Sequence, residues 1–132
     1  ADMFREFGKA QEEAEDYGLP CVVWAYPRGK HVKDEKSPEM VSYAARVALE
    51  LGADIVKINY PGSIDAMKWV VASAGRCRVI SAGGSKQPDA EFVAKVKDIM
   101  AGGGAGLAVG RNIWQNENPM EITEQVKKVI FG

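Results

Sequence analysis

The sequence predicts an α/β protein of parallel strand–helix units, arranged as half of a (β/α)8 barrel. Three observations carry that expectation. After an opening helix, short apolar strands alternate with helix-length segments four times over. The strands are near-continuous runs of Val, Ile, Leu and Ala, as in a sheet covered on both faces. The last two strands are followed by Gly83-Gly84-Ser85-Lys86 and by Gly110-Arg111-Asn112, and barrels build phosphate sites in the loops after their final strands. A small doubly wound sheet, self-sufficient at this length, is the competing architecture. A complete barrel needs about 250 residues, so four units make half of one.

Each element follows from local chemistry. Residues 2–17 are charged, with apolar positions at Phe4, Phe7 and Ala14, which suits an exposed amphipathic helix; Gly18-Leu19-Pro20 stops it. Residues 21–26 form a short apolar strand, and the polar stretch 27–36 forms a loop. Ser37-Pro38-Glu39 starts a helix, with Ser as cap and Pro in the first turn. Val41, Ala44, Ala45, Ala48 and Leu51 make its apolar stripe, and Gly52 ends it. Residues 54–60 read as the second strand, with a helix capped by Ser63 running to about Ala74. Residues 77–82 read as the third strand, 83–87 as a glycine-rich loop and 88–100 as a helix. Gly102-Gly103-Gly104 reads as a flexible turn into the fourth strand, 105–109, after which 110–118 is a loop and 119–130 the last helix.

The chain has 132 residues, 46% of them hydrophobic, and a net charge of −1, which suits one domain over 1–132. This balance gives no electrostatic case for nucleic acid or an anionic membrane, and no apolar run approaches the roughly 20 residues of a membrane span. The mixed, charged first residues are unlike a signal peptide, and a cytoplasmic setting is expected. Cys21 and Cys77 each open a strand; they suit buried thiols better than a disulfide. His31 is the sole histidine and no Cys-x-x-Cys occurs, so no metal site is expected.

Lys57 stands out. Val56 and Ile58 flank it, and alternation puts these two on one strand face and Ile55, Lys57 and Asn59 on the other. An ammonium among aliphatic neighbours is costly to desolvate; losing its proton lowers that cost and leaves a nucleophile that condenses with carbonyls. The alternative is a lysine reaching water or a carboxylate near the strand end. In the first strand Val22, Trp24 and Tyr26 share a face, opposite Cys21, Val23 and Ala25. If the second set meets the helices, Trp24 and Tyr26 point into the barrel, and the Tyr26 phenol at the strand end reaches toward Lys57 to move a proton. Strand aromatics also serve as ordinary core. Gly83 and Gly84, with Ser81 and Ser85, offer N–H groups and hydroxyls to an anion, or else make a plain βα turn. Gly110 and Arg111 add a second close backbone approach and a cation suited to phosphate. Arg28, Lys30, His31 and Lys33 form a basic loop, either solvated surface or a contact for a second anionic group.

Taken together, Trp24-Ala25-Tyr26-Pro27-Arg28-Gly29, Tyr43-Ala44-Ala45-Arg46, the run from Leu51 to Lys57, Ser81-Ala82-Gly83-Gly84 and the run from Val109 to Gln115 resemble the archaeal-type class I fructose-bisphosphate aldolases. The resemblance covers nearly the whole chain. It implies the C-terminal half of a TIM barrel, units five to eight with the preceding helix, and a cofactor-free Schiff-base mechanism on a phosphorylated sugar. By that resemblance Lys57 matches the imine-forming lysine, Tyr26 the general acid/base and Trp24 a wall of the sugar pocket. Ser81, Gly83, Gly84, Gly110 and Arg111 match the phosphate cradle. The family is about twice this length; the first four strands, and an aspartate near the first strand used at the family's active site, have no counterpart here. A half-barrel alone leaves two open edges, so it is expected to oligomerise, pair with an absent N-terminal half, or aggregate. A related archaeal aldolase that makes an amino-deoxy-heptulosonate shares the lysine and the Tyr-Pro-Arg-Gly run; Trp24 favours the fructose-bisphosphate enzyme.

Overall fold

The structure, a computed structural model, describes residues 2–132. Helix α1 (Asp2–Asp16) precedes strand β1 (Val22–Trp24). Then follow α2 (Pro38–Glu50), β2 (Ile55–Ile58), α3 (Ile64–Ala74), β3 (Arg78–Ala82), α4 (Asp89–Ala101), β4 (Gly106–Ala108), α5 (Arg111–Trp114) and α6 (Pro119–Phe131). All four strands are parallel, in the order β1-β2-β3-β4. Each strand–helix unit therefore sits beside the next, without the strand-order reversal of a doubly wound sheet. This is the topology of half a (β/α)8 barrel.

The caps behave as their chemistry requires. Ser37 accepts from the Met40 N–H and Ser63 from the Ala66 N–H, each satisfying a free donor of the first turn. Strands run shorter than their apolar stretches. Residues 21, 25, 54 and 105 still make ladder-like backbone bonds, such as Ala25 N to Lys57 O at 3.0 Å. One expectation is corrected: 110–118 is not all loop. Gly110 O accepts from the N–H groups of Ile113 (2.8 Å) and Trp114 (3.0 Å), closing the single turn of α5. A four-residue helix has no apolar periodicity to announce it.

The register sorts the side chains. Val56 pairs with Val79 and Ile58 with Ser81, and all four are buried against the helices. Val41, Ala45 and Ala48 of α2 with Met67 and Val70 of α3 complete that core. A second cluster, Phe92, Val96, Ile122 and Val126, joins α4 to α6. The 102–104 segment is more than a flexible turn. A Cβ on Gly102 would lie 2.5 Å from the Met67 Cβ, and one on Gly104 would lie 2.7 Å from the Ile99 Cγ2. Both positions stay side-chain-free because the helix ends pack directly on them.

The opposite sheet face is concave and open. Val22 is 45% exposed and Trp24 68% exposed, while Val23 and Ala25 pack on the helix-side core. Among the described residues nothing pairs with the outer edges of β1 or β4. No described helix is long and apolar enough to cross a membrane.

Candidate active site

The carboxyl ends of the four strands open onto a cavity of about 310 Å³. Lys57 and Asn59 come from β2 and its extension, Tyr26 and Arg28 from the chain after β1. Ala82, Gly83 and Gly84 follow β3, and Ala108, Gly110 and Arg111 follow β4. Strand parity produces this gathering. Trp24 pairs with Lys57, Lys57 with Ile80 and Ile80 with Gly106, so side chains at these levels project together from the concave face.

Lys57 has an aromatic neighbour. Val56 and Ile58 turn to the helices, as alternation requires, and the Lys57 Nζ lies 3.8 Å from the centroid of the Trp24 ring. The flanking Val56 and Ile58 thus face away from the amine, and an aromatic face joins Ile80, its pairing partner on β3, on the lysine side of the sheet. Tyr26 sits beside this pair, its phenol pushed up by burial, with the Arg28 guanidinium partly offsetting the shift. Arg28 lies 5.3 Å from the Tyr26 ring centroid and its Nε donates to Glu35 at 2.9 Å, which fixes the start of the basic loop over the phenol. Lys30, His31 and Lys33 are exposed and do not line the cavity. No metal-holding cluster of His, Cys, Asp and Glu occurs among the described residues. The buried Cys77 thiol is pushed up by burial and the Asp54 charge, so it is poorly suited to nucleophilic work.

The glycines allow a close backbone approach. A Cβ on Gly83 would fall 2.6 Å from the Val109 Cγ2 and 3.1 Å from the Val109 Cα. Gly84 has a φ of +76°, which disfavours L side chains. The Gly83 N–H is taken by the Ala108 carbonyl at 3.1 Å, so the Gly84 N–H, with Arg111 across the cavity, offers a donor and a charge to an anion. Ser81 does not join them. It shares the helix-side face with Val79, is 0% exposed, and its Oγ donates to the Ala82 carbonyl at 3.3 Å. One residue of strand parity separates its hydroxyl from the cavity, so its expected place in the cradle is corrected.

Three residues to which the sequence suggested no role stand at or beside the site. Asn112, 2% exposed, donates from Nδ2 to the carbonyls of Gly83 (3.0 Å) and Ser85 (3.1 Å), and its Oδ1 accepts from the Gln87 N–H (3.0 Å). Lys95 of α4 donates to the same Gly83 carbonyl at 3.1 Å, and burial, with Lys36 nearby, holds its amine below the usual lysine range. The Nδ2 of Asn59 is buried without a protein partner, on the face that carries Lys57. Adjacency to Gly110-Arg111 was the available signal for Asn112; Lys95 is one helix lysine among several.

Four parallel βα units, with a lysine in mid-sheet and glycine loops at the carboxyl edge, define a barrel-type α/β protein. The chain belongs to the DeoC/LacD family of aldolases, whose sequence profile matches residues 1–116. It is 49% identical over 130 residues to the class 1 fructose-bisphosphate aldolase of Halobacterium salinarum, covering 98% of this chain and 49% of the relative. It is 36% identical over 132 residues to 2-amino-3,7-dideoxy-D-threo-hept-6-ulosonate synthase 1 of Archaeoglobus fulgidus, covering 100% of this chain and 48% of that one. A solved archaeal fructose-1,6-bisphosphate aldolase, with its catalytic Lys covalently bound to the carbinolamine intermediate of the substrate, superposes with a TM-score of 0.96 at 39% identity. That match covers 99% of this chain and 53% of the solved one. The chain therefore spans about half the length of the relatives it matches.

Proposed function

We propose that this chain supplies the lysine-bearing, phosphate-binding half of a class I, Schiff-base aldolase. The reaction interconverts fructose 1,6-bisphosphate with dihydroxyacetone phosphate and glyceraldehyde 3-phosphate. The observation that carries the reading is the shared cavity of Lys57, Tyr26 and both glycine loops. The 49% identity to a fructose-bisphosphate aldolase, against 36% to the heptulosonate synthase, supports the first substrate over the second.

In the cleavage direction the Lys57 amine adds to the C2 ketone. The carbinolamine loses water to give an iminium, which draws the C3–C4 electron pair as that bond breaks. The 4-hydroxyl gives up its proton and becomes the aldehyde oxygen of glyceraldehyde 3-phosphate. The remaining enamine takes a proton at C3, and water then releases dihydroxyacetone phosphate and free Lys57. Tyr26 is the group that moves these protons. Gly83, Gly84, Gly110 and Arg111 hold one phosphate and so fix the distance from it to C2. Trp24 forms a wall of the sugar pocket, and Arg28 is available to a second anionic group. The free thiols of Cys21 and Cys77 suit a reducing, cytoplasmic setting.

The open edges of β1 and β4 support assembly with a complementary set of βα units, either an N-terminal half or a second copy. The half-length coverage also supports a second reading, in which the isolated chain binds sugar phosphates without turning them over. The test is borohydride trapping with dihydroxyacetone phosphate, on the chain alone and co-expressed with the N-terminal half of the Halobacterium relative. Label on Lys57 supports the aldolase; label that survives Lys57→Met overturns the assignment. Calorimetric binding of fructose 1,6-bisphosphate without aldol cleavage selects the second reading for the isolated chain.

A further inference from the structure

One carbonyl in the β3–α4 loop is held by two side chains at once. The Gly83 oxygen accepts from the Lys95 Nζ at 3.1 Å and from the Asn112 Nδ2 at 3.0 Å. Asn112 also donates to the Ser85 carbonyl and accepts from the Gln87 N–H, so its amide is spent on this loop alone. It follows Arg111 directly, and thereby ties the loop after β3 to the turn after β4. Of these residues, Gly83 and Gly84 line the cavity; Lys95 and Asn112 do not.

Peptide planarity turns this clamp into a direction. In a trans peptide the C=O of one residue and the N–H of the next point opposite ways, and the chain has no cis peptide among the described residues. Holding the Gly83 C=O on the side of α4 and α5 therefore turns the Gly84 N–H away from them, toward the cavity. A cation on the oxygen end of a peptide also strengthens the donor at its other end.

We propose that Lys95 and Asn112 are positioning residues that aim the Gly84 N–H at the substrate phosphate. They touch the peptide and not the ligand. The inference rests on the phosphate cradle proposed above and adds residues that lie outside it.

The test titrates inorganic phosphate into isotope-labelled protein and follows the Gly84 amide. In the unaltered chain the Gly84 proton moves downfield with phosphate. Lys95→Met weakens phosphate binding by about tenfold, the scale of losing a charge-assisted contact, and Asn112→Ala by about as much because it removes all of that side chain's hydrogen bonds to the loop. Lys95→Arg keeps most of the affinity, which a purely structural loss would not predict. Unchanged β1 amide shifts in each variant show that the fold is retained; should Asn112→Ala fail to fold, Lys95→Met decides alone. A Gly84 amide indifferent to phosphate, or both variants binding within twofold of the unaltered chain, overturns the proposal. Trapping at Lys57 scores the aldolase reading separately: phosphate response without trapping sinks that reading and leaves the clamp standing.

Discussion

The ε-amine of Lys57 lies over the face of Trp24, 3.8 Å from the ring centroid, because β1 and β2 pair these two residues directly. The ring's negative face attracts a cation, by about 0.5–1 kcal/mol where water has access, and Trp24 is 68% exposed. A protonated imine on the same nitrogen would face the same ring. Trp24→Leu is therefore expected to slow trapping of dihydroxyacetone phosphate about two- to fivefold, the equivalent of that energy. Lys57→Met is expected to remove trapping altogether. Mass spectrometry of the reduced adduct measures both, and a hundredfold loss in Trp24→Leu would show that the ring does more than cover the amine.

Gly83 and Gly84 are adjacent but fail for different reasons when a methyl group is added. At Gly83 the new Cβ meets Val109, including its backbone Cα at 3.1 Å, so strand β4 or the loop must shift. Gly83→Ala is expected to cost about 1–3 kcal/mol, as overpacking does, and to lose phosphate affinity as well. At Gly84 the nearest atom is the flexible Lys95 Nζ at 3.6 Å, and the obstacle is the φ of +76°. Gly84→Ala is expected to cost about 1–2 kcal/mol of backbone strain. Urea unfolding with and without phosphate separates the two. Equal losses in both conditions for Gly83→Ala would count against its place in the cradle.

The periodic parts of the fold were legible in the residues themselves. Ser37 and Ser63 announced their helices, and alternation around Lys57 separated Val56 and Ile58 from the lysine face, as observed. Parity also held the evidence against Ser81. Counting from Val79 assigns both to one face, where both side chains are buried, whereas Ser81 enters the sequence reading only with the Gly83-Gly84 motif. Helix α5 was unreadable because one turn has no period. The Asn112 and Lys95 contacts were unreadable because they join residues 29 and 12 positions apart through a single carbonyl. The glycines at 102 and 104 looked like slack, since the sequence does not reveal that Met67 and Ile99 press against them.

Tyr60 links β2 to α4 through its hydroxyl, which donates to the Asp98 Oδ2 at 3.3 Å. Burial, the Asp98 charge and this hydrogen bond push its phenol up to about 12 from an ordinary 10. The folded state thus favours the protonated phenol more than the unfolded state does. Its contribution is complete below about pH 10 and disappears as the pH rises toward about 12. Tyr60→Phe is expected to flatten this alkaline limb of the unfolding curve, and difference absorbance of the phenolate should lose its latest-titrating component. An unchanged alkaline limb would mean that the Asp98 contact contributes nothing in solution.

The β1 edge sets the final prediction. Val22 and Trp24 stand exposed on β1, and an apolar groove of about 340 Å³ lies at that edge between the strand and helices α1 and α2, lined in part by Met3, Phe4, Val47 and Leu51. Unpaired strand edges recruit other strands, and apolar surface beside them adds to the drive. The chain alone is expected to self-associate at micromolar concentration, by sedimentation velocity. Co-expression with the N-terminal half of the Halobacterium relative is expected to replace that distribution with a defined complex containing both pieces. Val22→Lys introduces an inward charge where the two halves would meet, and charges placed so are a known block to sheet extension. It should weaken both self-association and complex formation, while leaving the helix-side core of Val56, Ile58 and Val79 intact by circular dichroism. A chain that stays monomeric at high concentration and ignores the complementary half would show that its open strand edges are inert.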